Sequence, residues 1–273
     1  MQRPLLLAIE QSSTLLDLRE HAGRAMSNGF DGIEWRLPAG SVPLQPAISH
    51  LDTIHLGALA ICCEKMDIAS AVQFVTSQLQ AAESLAASML NLSIPPVRLR
   101  NDDEGFVRYQ DALNFAYELL HEVRFEAEAR GVTVALEAAT DDCLLSPIEL
   151  RELIDAVNSP AIGVCLDLKR IGAIGSPLDW IHTLHRRVQS VRYSDVPSSG
   201  GSGCPIALAV GKSNRLNGTD SSPPGLKPWA THQTSQVQFD KLIQALDAIS
   251  LVCPLSLFDH SVDNGFAGKR LDG

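Results

Sequence analysis

Two carboxylates stand where a sequence of this kind ordinarily has none. The runs VTVALE, ending in Glu137, and IGVCLD, ending in Asp167, are otherwise almost wholly apolar. That is the composition of a parallel strand covered on both faces, where an acid is the exception that needs a reason. If the two strands are neighbours in a parallel sheet, both acids project from its carboxyl end. In a barrel of such strands that is the end where chemistry is done, and paired carboxylates there suit acid–base transfer of a proton. Other polar residues have a functional and a plain reading side by side. His55 can bond a ligand hydroxyl from a strand or simply be satisfied by backbone. Lys169 is a general base if desolvated and a solvated cation otherwise, while His182 and His185 read as the solvent face of an outer helix.

The elements that must position these groups alternate along the whole chain. LLLAIE (5–10) reads as a first strand and the stretch from Thr14 to Gly29 as a helix that Asn28 and Gly29 stop, with FDGIEWRL following as a second strand. The link 38–49 carries Pro38, Pro43 and Pro46, so a loop is expected in place of a second helix. LDTIHLGA (51–58) is the expected third strand, 67–90 a long amphipathic helix, MLNLSI a fourth strand and 102–130 another long helix that Gly131 ends. Ser146 and Pro147 open a helix between the fifth and sixth strands, a shorter helix lies around 180–187, and VQSVRYSDV is the seventh strand. Residues 197–234, rich in Ser, Gly and Pro, read as one long irregular loop before a last helix (235–249) and an eighth strand, PLSLF. Eight strands separated mostly by helices predict an α/β fold, a single-domain (β/α)8 TIM barrel over 1–273, with the helix ring incomplete after strands two and eight.

Composition narrows the partners. The 273 residues are 45% apolar with few aromatics, which suits a core of Val, Ile, Leu and Ala. A formal charge of −10 repels nucleic acid phosphates and anionic membranes, so the expected partner is a small molecule. The six cysteines show no CxxC pair and read as small buried hydrophobes in a reducing compartment. With no signal-like or membrane-length apolar run, the expectation is a cytoplasmic protein. No GxGxxG follows the first strand and no GxxxxGK[ST] occurs anywhere in the sequence. The helix gaps would uncover apolar barrel surface, from which a homo-oligomer is a corollary.

In order and spacing, GFDGIEWRL, VTVALEAATDD, GVCLDLKRIG, SVRYSDV and PLSLF resemble strands two, five, six, seven and eight of the xylose-isomerase-like TIM barrels, the superfamily of sugar isomerases, epimerases and endonuclease IV. In the sugar epimerases of that superfamily a divalent metal is held by a Glu ending strand five, an Asp ending strand six, a His in strand seven and a Glu in strand eight. The resemblance places the first two on Glu137 and Asp167, but the third on Arg192 and the fourth on Phe258. A further family histidine falls on Arg170, and Glu34 matches a glutamate that helps to hold substrate, unless it is simply an ion pair with Arg36. A guanidinium is always protonated and cannot ligate, so Arg192 and Arg170 put positive charge where the ion would be.

The resulting expectation is a sugar isomerase- or epimerase-like protein for a small polyol, keto sugar or carbonyl acid, working without a tightly bound metal. Glu137 and Asp167 would move the proton and Arg192 would stabilise the enolate oxygen, with Glu34, His55, Arg170, Phe258 and His260 as substrate contacts. Two alternatives stay open. One is a non-catalytic binding protein on the same barrel, favoured by Phe258 at a ligand position. The other is a metal enzyme with rearranged ligands, drawing on His55, Asp195, Asp259, His260 or on His232 and Asp220 of the long loop.

Overall fold

A computed structural model describes residues 4–10, 15–27, 30–37, 56–63, 66–94, 108–138, 143–194, 241, 243–249 and 253–258. Its elements in chain order are β1 (Leu5–Glu10), α1 (Leu15–Ser27), β2 (Gly32–Arg36), β3 (Leu56–Cys62), α2 (Ile68–Ser84), β4 (Met89–Ser93), α3 (Tyr109–Arg130), β5 (Thr133–Glu137), α4 (Pro147–Val157), β6 (Ile162–Asp167), α5 (Leu168–Ile174), α6 (Pro177–Leu184), β7 (Val188–Ser194) and β8 (Leu255–Phe258). Residues 243–248 are also helical. The strands pair in parallel, each with the next, and β8 returns to β1, closing the (β/α)8 barrel.

Alternation along each strand sorts its side chains. Ile33, Trp35, Leu59, Ile61, Leu90, Leu92, Val134, Leu136, Val164, Leu166 and Val191 face outward into one large apolar layer shared with the helices, including Phe74, Leu79, Leu119 and Ile154. Leu6, Ala58, Met89, Ala135 and Cys165 form a separate, small cluster. Local signals hold the helices in place: the Asp67 carboxylate accepts the Ser70 N–H at 2.9 Å to cap α2, and Gly131 takes φ +65° to end α3. At Gly163 on β6 a Cβ would lie 2.8 Å from the Arg187 carbonyl, so only glycine lets β6 lie this close to β7.

The third strand continues past its expected end at residue 58: it is described over Leu56–Cys62, and LGALAIC is the continuous apolar run that a strand covered on both faces requires. Residues 51–55, His55 among them, lie outside the described residues, as do the link 38–49, the loop 197–234 and the tail after Phe258. A short helix, α5, follows β6 directly where the sequence carries no cap or break to announce it. Cys62, Cys63, Cys143, Cys165 and Cys253 form no disulfide among the described residues, and burial pushes Cys63 and Cys165 up to about 12 and Cys143 to about 11. Cys63, Cys143 and Cys165 are protonated small hydrophobes at neutral pH. Among the described residues no helix is long and apolar enough to cross a membrane.

Candidate active site

The strand registers stack the inward residues in levels. Moving from one strand to the next but one raises the level by about two residues, the stagger that an eight-stranded barrel of this class requires. By that rule Ala8, Ala60, Glu137 and Arg192 share one level, each reached from the last through the printed pairings. The level below, from the even strands, is Glu34, Asn91, Cys165 and Ser256, and the level above holds Arg36, Ser93, Asp167 and the end of β8. A barrel of this class normally fills such levels with branched apolar side chains.

Arg192 is the largest side chain fully buried in the described structure. Its Nε donates to Oε1 of Glu34 on β2 at 2.6 Å. Its Nη1 lies 2.7 Å from Oε2 of Glu137 on β5, an ion pair in which the N–H bonds point off the oxygen. One guanidinium from β7 therefore spans two buried carboxylates on different sides of the barrel. Ala8 and Ala60, the other members of its level, are short enough to leave the space it needs. From β4, Ser93 Oγ donates to the same Oε2 of Glu137 at 2.5 Å.

These contacts decide the charges. Burial alone pushes the Glu137 carboxyl up, but the guanidiniums of Arg192 and Arg36 and the Ser93 hydroxyl bring it down to about 2. Burial likewise opposes the Arg192 charge, yet Cys165 and the carboxylates of Glu137 and Glu34 hold its pKa well above the usual guanidinium value. Glu137 and Arg192 are an ionised pair throughout the ordinary pH range.

Asp167 stands one level nearer the mouth and is 9% exposed. Its Oδ1 accepts the backbone N–H of Arg170 at 3.1 Å, where α5 begins. The Arg170 guanidinium is 38% exposed, with its Nε 3.8 Å from Oδ2 of Asp167 and 4.0 Å from Oε1 of Glu137. Those separations are ion-pair distances beyond hydrogen-bond reach, so Arg170 is held loosely above the tight Arg192 bridge.

Five of the residues singled out in the sequence thus come together: Glu34, Glu137, Asp167, Arg170 and Arg192. His55 and His260 lie outside the described residues, and for Phe258 the backbone alone is described, ending β8 opposite Ser194 and Ala8. His182 and His185 are exposed, as a solvated helix face requires. The sequence reading missed Ser93, Asn91 and Ser256. Their signal was present, since Asn91 and Ser93 are alternate polar residues in the short apolar run MLNLS, the same kind of exception that marked Glu137 and Asp167.

The donor set does not fit a divalent ion at the four positions that the resemblance indicates. Glu137 and Asp167 are carboxylates, but the third position is a guanidinium without a lone pair, which already engages Oε2 of Glu137 together with Ser93. Among the described residues no group of three or more His, Cys, Asp or Glu is placed to hold a metal. His232, Asp220, Asp195 and Asp259 lie outside those residues.

Comparison with known proteins agrees with this architecture. The 3-keto-D-glucoside 4-epimerase of E. coli superposes with a TM-score of 0.64 at 13% identity, over 94% of this chain and 91% of its own. D-Allulose 3-epimerase from Methylomonas sp., in complex with D-allulose, gives 0.65 at 14% identity over 94% and 84%. AP endonuclease, family 2, from Brucella melitensis gives 0.63 at 15% identity over 94% and 92%. These likenesses establish a common fold. No curated protein matches the chain in sequence. Residues 23–257 match the family described as xylose isomerase-like TIM barrel, and with that match over most of its length the chain belongs to this family.

Proposed function

We propose that this chain is an isomerase or epimerase of small keto sugars that moves a proton beside the carbonyl with a guanidinium in place of the family's metal ion. The observation that carries the reading is the Glu34–Arg192–Glu137 bridge, a fixed positive charge at the carboxyl end of a barrel whose fold neighbours include epimerases of D-allulose and a keto-glucoside. In an enolisation, negative charge develops on the carbonyl oxygen, and a preorganised cation in a water-poor site stabilises it. Arg192 supplies that cation, and its Nη2 has no hydrogen-bond partner among the described residues. Glu137, ionised and fixed by Arg192 and Ser93, is too weak a base to take the carbon proton efficiently and serves to hold the guanidinium. Asp167, the more accessible acid, then carries the proton, with Arg170 beside it to bind a substrate oxygen.

The test is incubation of chelator-treated protein with D-fructose, D-allulose and ketopentoses in D2O, following deuterium at the carbon next to the carbonyl by NMR. Exchange that disappears in Asp167→Asn supports the reading, and no exchange in any ketose overturns it. A second reading, a sugar-binding protein without turnover, is favoured by how completely Arg192 is neutralised by its two carboxylates. Binding of a ketose without exchange is its signature.

A further inference from the structure

What a ligand meets at the carboxyl end of the barrel is set by which inward side chains reach solvent there. Glu34, Glu137 and Arg192 are fully buried, and Asp167 is 9% exposed. Arg36, Cys62 and Ser93, ending β2, β3 and β4, are half-buried, and the Arg170 side chain is 38% exposed. The alternation that sends Trp35 outward and Glu34 inward points Arg36 into the mouth. As a set the inward charges balance, Glu34, Glu137 and Asp167 against Arg36, Arg170 and Arg192. Their access to solvent does not: two of the carboxylates lie beneath, and the two arginines that solvent reaches lie above them. The Arg170 guanidinium is held there yet uncommitted. Its Nε stands 3.8 Å from Oδ2 of Asp167 and 4.0 Å from Oε1 of Glu137, and it makes no hydrogen bond among the described residues. Oε1 of Glu137 has no hydrogen-bond partner there either. Arg36 acts on the same carboxylate from β2, helping to hold its pKa low. Two guanidiniums from separate walls thus converge above Glu137.

The group that answers two such donors is rich in acceptors. A guanidinium only donates, so a sugar hydroxyl that accepts from it must find an acceptor for its own proton, and Asp167 is the one carboxylate that solvent reaches. A dianionic phosphate brings its second charge against Asp167 and Glu137. A carboxylate offers two coplanar oxygens and a single charge, the match of a guanidinium fork. We propose that the substrate is a keto sugar acid, its carboxylate received at the mouth of the barrel by Arg170 and Arg36. This rests on the sugar reading above and narrows it to ketoses oxidised to a carboxylate at the end away from the carbonyl. Arg170 and Arg36 are the specificity residues, selecting that end over a hydroxymethyl or a phosphorylated one. In a chain of formal charge −10 they also supply the local attraction that an anion needs.

The test uses the full chain and binding, not turnover. D-Fructuronate, D-fructose and D-fructose 6-phosphate share one carbon skeleton and differ only in ending in a carboxylate, a hydroxymethyl or a phosphate ester. Each is titrated calorimetrically into the parent, Arg170→Gln and Arg36→Gln. The parent is expected to bind D-fructuronate roughly tenfold more tightly than D-fructose, the gain of one charge-assisted contact, and more tightly than the phosphate ester. That ratio of affinities is read within each protein, so a variant's folded fraction does not enter it. It is expected to disappear in Arg170→Gln and to fall in Arg36→Gln. Equal affinity of the parent for D-fructuronate and D-fructose, tighter binding of the phosphate ester, a preference that survives intact in Arg170→Gln, or a parent that binds none of the three overturns the inference. Deuterium exchange is read separately: a carboxylate preference without exchange removes only the catalytic reading, while exchange in D-fructose without the preference removes only the sugar-acid assignment.

Discussion

An arginine stands near each end of β7, and the two are held in opposite ways. Arg187, just before the strand, donates from Nε and Nη2 to the two oxygens of Asp155 at 2.5 and 2.8 Å, a two-pronged pair at the rim of a cleft of about 630 Å³. Arg192, near the other end, has one good hydrogen bond to Glu34 and a misaligned ion pair with Glu137. On geometry alone Arg187 has the stronger pair. Its side chain and that of Asp155 are 24% and 51% exposed, however, and water screens such pairs to ~1 kcal/mol or less. Around Arg192 no water competes, and each charge depends on the others to offset a desolvation cost of several kcal/mol per ion. Environment, not contact geometry, decides which arginine the fold depends on. The Arg192 bridge is also not the most stable way to fill a barrel, since well-packed apolar residues do as well or better.

The largest effect is expected at Arg192 itself. Arg192→Leu strands two carboxylates in the core and is expected to cost ~3–5 kcal/mol, read as a lowered midpoint of urea unfolding. Adding Glu34→Gln and Glu137→Gln to that variant should recover part of the loss. A destabilisation below ~1 kcal/mol would put Arg192 in the same class as Arg187.

Acid acts on the buried bridge through Glu137. Glu137 is held at about 2 against an ordinary value near 4.5, so its contribution is present in full above pH ~4.5 and is lost as pH falls toward about 2. The amount is on the order of 3 kcal/mol. In urea unfolding across that window the parent should lose stability faster than Glu137→Gln, which has no such carboxyl to protonate. Parallel pH profiles for the two proteins would contradict the assignment of charge.

The smallest effect belongs to the exposed pair. Arg187→Ala should change stability by ~1 kcal/mol or less and leave ketose binding unaltered. The residual effect should shrink further in high salt, whereas that of Arg192→Leu should not, since buried charges are screened little.

How much of this could be read from the sequence depended on whether a signal was local. Glu137 and Asp167 announce themselves as acids ending apolar runs, and the caps at Ser146 and Gly131 fix helix ends within a few residues. Arg192 could be placed on its strand, but its pairing with Glu34, 158 residues away, exists only because the barrel closes through β8 and β1. The third strand runs on to Cys62, past residue 58, because the barrel uses the whole unbroken apolar run LGALAIC, whose end no turn signal marks. Asn91 and Ser256 were passed over because a neutral polar residue in a strand is a weaker anomaly than a charge. Only the registers bring them to one level with Glu34.

Calorimetric titration with Mn²⁺ tests most directly whether the guanidinium of Arg192 takes the place of the family's metal. The chelator-treated parent is expected to give no binding heat attributable to this site, while the double variant Arg192→His with Phe258→Glu, which restores the family's four ligands, binds one Mn²⁺ per chain. Tight one-to-one Mn²⁺ binding by the parent that disappears in Glu137→Gln or Asp167→Asn would contradict the claim.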